Sequence, residues 1–261
     1  MSPELDLAAA RAQLPADMVD AWLGLLRPAA RLTHAHPPQR IVGHLGGQPD
    51  LPADVTWPIW DGQGPLAYIA GLDCAALPRA MTGLDLPADG HLLFFCFDGQ
   101  VGDALSIPTT GCGAQAMHIA SDRPVSPRCA PDGITPYRRI PLAAHAVDSA
   151  PPDDHPVLHQ TFGDSFSHGI DHPVRDLSFE PTGGVRATLH QVGGYAYPLH
   201  FPLEYGLDAG EPDDWVLLAQ FDSDGRARMH WGDCGLIYWL IRRQDLAARR
   251  FDRAAFTLQC Y

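Results

Sequence analysis

The apolar positions of this chain fall into short, dense runs rather than long helical stripes. Leu66–Leu72, Leu92–Phe97, Trp215–Phe221 and Leu236–Ile241 are apolar almost throughout, the pattern of strands buried on both faces. Weaker runs at Gln115–Ala120, Tyr137–Ile140 and Phe256–Cys260 predict further strands. One segment has helical spacing: Val19, Trp22, Leu23 and Leu26 predict a helix over Ala16–Leu32, opened by Pro15-Ala16-Asp17. Short helical turns are expected at Asp73–Leu77, stopped by Pro78, and at Asp245-Leu246. Gly46-Gly47-Gln48-Pro49-Asp50-Leu51-Pro52, Asp98-Gly99 and Asp222-Ser223-Asp224-Gly225 read as turns, the last leading into a return strand over Arg226–Trp231.

Three of these segments recur in order. Gly43–Gly47 returns as His190–Gly194, Leu66–Asp73 as Trp215–Asp222, and Gly90–Phe95 as Cys234–Trp239, each roughly 150 residues later. The expected fold is therefore a β-rich α+β architecture, internally duplicated, with two similar halves in a pseudo-twofold arrangement behind an N-terminal helix. The expected organisation is one compact domain: a helical extension over 1–40, a first repeat over 41–142, a Pro- and Asp-rich linker over 143–156, and a second repeat over 157–261.

Composition narrows the function classes. The net charge is −13, which repels nucleic acid and anionic membrane and favours a basic partner. All 18 basic residues are Arg, so Schiff-base and P-loop lysine chemistry are excluded. No apolar run approaches the length of a membrane span, and Met1–Gln13 has no signal-peptide pattern. The six cysteines form no CxxC pair, as expected for reduced thiols in the cytoplasm. No cofactor is implied.

The densest polar stretch is Gln220, Asp222, Asp224, His230, Trp231 and Asp233. It could bind a cation or run acid–base chemistry; equally, Asp222–Gly225 is hairpin chemistry and Asp233 a backbone cap. The thirteen histidines show no HExxH. His34-Ala35-His36 on an extended segment would point both rings one way, but it sits in a Pro-rich loop, and no metal site is expected. Gly163–Gly169 places Ser165 and Ser167 near His168 without a nucleophile elbow. Arg242-Arg243 and Arg249-Arg250 read as a solvated basic face.

The motifs Gly46–Pro52 with Trp57-Pro58, Pro65–Ala70, His190–Tyr195, Leu217–Asp222 and Trp231-Gly232-Asp233-Cys234-Gly235 leading to Tyr238-Trp239 and Cys260-Tyr261 resemble the YwqG-like family of bacterial domains. The resemblance covers roughly Ile41–Tyr261. It implies a duplicated, β-rich cytoplasmic fold and supplies no catalytic mechanism. Some members of that family turn up beside secreted bacterial toxins as their immunity proteins. The family usually carries Gln where this chain has Gly71, while Gln220 keeps the amide in the second segment.

The expected function is thus a non-enzymatic binding protein, with a toxin-like protein partner and Gln191, Gln220, Asp222, His230, Trp231 and Asp233 as binding residues. The alternative is a small-molecule or metal-dependent enzyme with Gln220, Asp222, His230 and Asp233 lining a cleft.

Overall fold

The computed structural model describes residues 14–100, 113–152, 155–163, 188–203 and 214–261. Ser165, Ser167 and His168 lie outside the described residues.

Fourteen strands are described. The short ones are β2 (Gly43–Leu45), β3 (Asp50–Leu51), β4 (Ile59–Trp60), β5 (Gly64–Pro65) and β9 (Ser126–Pro127). The long ones are β1 (Arg27–His34), β6 (Ala67–Asp73), β7 (His91–Cys96), β8 (Ala114–Ile119), β10 (Ile140–Ser149), β11 (His190–Gly193), β12 (Trp215–Asp222), β13 (Leu236–Arg242) and β14 (Ala255–Gln259). Helices are short: α1 (Ala16–Leu23), α2 (Arg79–Thr82), α3 (Pro156–Phe162) and α4 (Arg243–Ala247).

Ten strands make one sheet in the order β14-β13-β12-β11-β1-β10-β2-β6-β7-β8, and every pairing is antiparallel. The sheet curls into a nearly closed, barrel-like body. Its two arms meet through aromatic rings: Phe94 of β7 packs on Phe221 of β12 and Trp239 of β13 at centroid distances of 5.3 and 5.2 Å. His118 of β8 approaches Phe251, just before β14, at 5.9 Å. The inner face carries the main core, including Leu32, Leu45, Ile69, Phe94, Leu218, Phe221 and Trp239. Three smaller clusters lie outside it: Trp22 with Leu158 and Phe162, Tyr68 with Phe95 and Phe97, and Leu217 with Tyr238 and Leu203.

This corrects the α+β, internally duplicated reading. The chain does not build two similar halves; it builds a single antiparallel sheet in which helices play a minor part. The centre of that sheet is β1 beside β10. Strand β1 comes from residues expected to be a helix: the helical pattern is real over Ala16–Leu23, but Pro28 and the pairings on both sides make Arg27–His34 a strand. Strand β10 runs through the start of the segment expected as a linker, and pairs with β1 along eight residues, from Arg27↔Ser149 to His34↔Leu142. The expected return strand over Arg226–Trp231 is instead a turn, closed by a single bridge between Asp224 and Met229.

Close packing explains particular glycines. A Cβ on Gly193, which has φ +72°, would sit 1.8 Å from the Thr82 carbonyl oxygen. The α2 turn therefore touches the end of β11 through bare backbone.

Candidate functional site

Two polar constellations are built on this sheet, one on each face.

On the outer face, a row of side chains crosses five strands in register: Arg31↔Gln191, Gln191↔Gln220, Gln220↔Tyr238 and Tyr238↔Thr257. Buried amides must find partners, and these find them in residues 189–201. Gln191 Nε2 donates to the carbonyls of Gly193 and Tyr195, each at 2.9 Å, while its Oε1 accepts from Arg31 at 3.2 Å. Gln220 donates to Leu189 O at 2.8 Å and accepts from Tyr197 N at 3.0 Å. Tyr238 donates to Tyr197 O at 2.7 Å. Gln259 completes the set, accepting from Leu199 and His200 N–H and donating to Phe201 O. Four side chains thus replace the ladder that this irregular segment lacks.

On the inner face, His190 lies opposite Leu32, and His34 is two residues further along β1, hence on the same face. The Asp222–Gly225 turn brings Asp224 to both rings. Asp224 Oδ2 accepts from His34 Nε2 at 2.5 Å and His190 Nε2 at 3.1 Å. Asp224 Oδ1 accepts from the Arg226 and Ala227 N–H groups at 2.8 and 2.9 Å. The Asp224 side chain is 1% exposed, His190 0% and His34 16%. Burial alone would raise the carboxyl pKa; the hydrogen bonds from His190, the Ala227 N–H and His34 outweigh it and hold Asp224 well below the usual carboxylate range.

These three donors lie within 4.8 Å of one another, the spacing of a metal centre. The rest of the hydrogen bonding does not fit one. His190 Nδ1 accepts from the Asp222 backbone N–H at 3.1 Å, and His34 Nδ1 accepts from the Arg226 guanidinium at 3.1 Å. A backbone amide and a guanidinium can only donate, so both rings carry their proton on Nε2, toward Asp224. A metal-bound imidazole needs the reverse: a bare Nε2 and an Nδ1–H facing an acceptor. The cluster is a hydrogen-bonded latch between β1, β11 and the 223–231 hairpin.

The residues expected to bind are divided among these settings. Gln191 and Gln220 are brought together and clamp the outer segment. Asp222, 3% exposed, accepts from Leu189 N at 3.0 Å. Trp231, 3% exposed, packs edge-on against Tyr137 in the core. His230 and Asp233 are exposed, and the Asp233 carbonyl accepts from Tyr261 N. His36 does not join His34 at Asp224. The convergence of His34, His190 and Asp224 was missed because 190 residues separate His34 from Asp224; the only signal was a histidine at an inward position of a strand.

Residues 43–260 match a family described as Domain of unknown function (DUF1963). No curated protein matches the chain.

Proposed function

The chain belongs to the DUF1963 family, and we propose that it is a non-enzymatic binding protein of the bacterial cytoplasm. The finer motif likeness to the YwqG-like group suggests a role in neutralising a basic, toxin-like protein. The observation that carries the non-enzymatic reading is the Asp224 latch: its carboxylate already accepts four hydrogen bonds, and both imidazoles facing it are committed. Gln191 and Gln220 are likewise engaged with backbone groups. A cavity of about 330 Å³ beside α2, whose lining includes Gln39, Arg40, Val42, Met81, Ala143 and Ala144, offers apolar surface, one amide and one guanidinium but no acid–base pair. A charge of −13 would steer a basic partner. Among the described residues no helix is long and apolar enough to cross a membrane.

The enzymatic alternative has less support. Gln220 and Asp222 are buried, whereas His230 and Asp233 are exposed, so one substrate would have to reach both settings.

The test is co-expression with the product of each adjacent gene, followed by size-exclusion chromatography and calorimetry. A stoichiometric complex that weakens as salt rises is the expected result. Failure of every neighbouring product to bind would remove the reading.

A further inference from the structure

The net negative charge conceals a local reversal. The 223–231 hairpin docks on the segment before β10: Arg138 N–H donates to Ala227 O at 3.0 Å. That contact brings together two arginine pairs far apart in sequence, Arg138-Arg139 and Arg226-Ala227-Arg228. All four arginines are exposed. Within the hairpin, Ala227, Met229 and Trp231 are buried, while Arg226, Arg228 and His230 are exposed. The apolar half of the hairpin holds it to the core and leaves its cationic half in solvent.

None of the four arginines makes an ion pair with a carboxylate among the described residues. Arg226 donates to His34 Nδ1 at 3.1 Å and Arg139 to His44 Nδ1 at 3.3 Å; Arg138 and Arg228 have no side-chain partner there. Several other surface arginines pair with acids, as Arg123 does with Asp54 and Arg249 with Asp85. The acid inside the hairpin, Asp224, is buried and saturated by its own hydrogen bonds. Asp233 sits exposed on the next turn, and Asp50 lies near enough to His44 to raise its pKa, although burial first and then Arg139 lower it overall. Cations gathered on a fixed turn, in a chain with many more acids than bases, are a feature that collapse of the core does not require.

We propose that the exposed cationic face formed by Arg138, Arg139, Arg226 and Arg228 binds a small phosphate-bearing anion. Planar guanidinium groups match phosphate oxygens in pairs and keep their charge at every relevant pH. Such a ligand is small enough to reach this face without bringing the rest of the negatively charged surface against a second polyanion. This inference is independent of the binding role proposed above, since it concerns a ligand of opposite sign.

The experiment is calorimetry on the full chain with inorganic pyrophosphate, ATP and a hexaglutamate peptide at low and at moderate salt. The comparison adds the double variant R138A/R228A, the single variant R228K and a remote control, R79A. Neither Arg138 nor Arg228 contributes a side chain to the core, so circular dichroism and melting should match the parent. Pyrophosphate and ATP should bind in preference to hexaglutamate. Binding should weaken about a hundredfold in the double variant, about tenfold for each arginine, weaken less in R228K, and be unchanged in R79A. Undetectable phosphate binding at millimolar ligand, equal loss in R79A, or tighter binding of hexaglutamate would each overturn the proposal.

Discussion

Asp224 and His34 meet at 2.5 Å across 190 residues of chain, and that contact ties the central strand of the sheet to a hairpin near its far end. Replacing Asp224 with Asn keeps the size but turns an acceptor-only group into one that confronts His34 or His190 with an N–H. We expect D224N to lose about 3 kcal/mol of stability, read from urea denaturation. A change below ~0.5 kcal/mol would mean that the latch is incidental.

The same carboxyl sets an acid limit. Its folded pKa lies below its ordinary value of 3.8, so the native state favours the ionised form. The contribution is fully present above about pH 4 and is lost as pH falls further, toward the folded pKa. The parent protein should therefore lose stability below that point more steeply than D224N. Parallel curves for the two proteins would rule out this assignment.

The outer clamp invites a coupling measurement. Gln220→Ala removes the amide partner of Tyr197 N–H and Leu189 C=O, and Gln191→Ala removes one donor from the Gly193 and Tyr195 carbonyls. Each should cost about 2 kcal/mol. Because both amides hold one segment, the double variant should cost less than the sum of the two, and a thermodynamic cycle gives the difference. Strict additivity would mean that the two amides fasten the segment independently.

Gly193 is expected to tolerate no side chain. In Gly193→Ala the methyl would meet the Thr82 carbonyl at 1.8 Å in a left-handed backbone conformation, so either α2 or β11 must move. A loss of at least about 2 kcal/mol is expected. Gly62→Ala, also at positive φ but with open space around it, is the comparison that isolates backbone strain from the clash.

Thiol chemistry should sort by burial. Cys74 is pushed up to about 12, chiefly by burial and then by Asp73, and burial with Asp98 raises Cys96 as well. Cys129 and Cys234 are exposed. A disulfide reagent at pH 8 should label Cys129 and Cys234 in the native state, and Cys74 and Cys96 only after unfolding. Rapid native labelling of Cys96 would contradict the packing described for β7.

Much of the sheet was legible because its strands are unbroken apolar runs: β6, β7, β12 and β13 fall where Leu66–Leu72, Leu92–Phe97, Trp215–Phe221 and Leu236–Ile241 point. Strand β1 was not. Its Ala29, Ala30 and Leu32 follow directly on the helical spacing of Val19, Trp22 and Leu26, and its conformation is imposed by partners on both sides. The resemblance between the chain's two halves invited a reading of two similar, duplicated halves within one domain, because local similarity carries no information about which strand lies between them. Gln220 stood out as a polar group in an apolar strand and Gln191 as part of a recurring motif; burial gives both amides a requirement for hydrogen-bond partners, which backbone groups of the same chain largely fulfil. Asp224 looked like turn chemistry, and it is that as well as a latch, which spacing alone could not reveal.

The position of β1 also governs when this protein can fold. Its neighbours, β10 and β11, lie more than about a hundred residues downstream, so an emerging chain must hold a strand with two open edges until β10 leaves the ribosome, and with one open edge until residues 190–193 follow. The stretch matched by the family, 43–260, begins after β1 and is therefore shorter than the cooperative unit. A fragment cut to those limits should aggregate or stay open, and adding a peptide spanning Arg27–His34 should restore it by strand insertion.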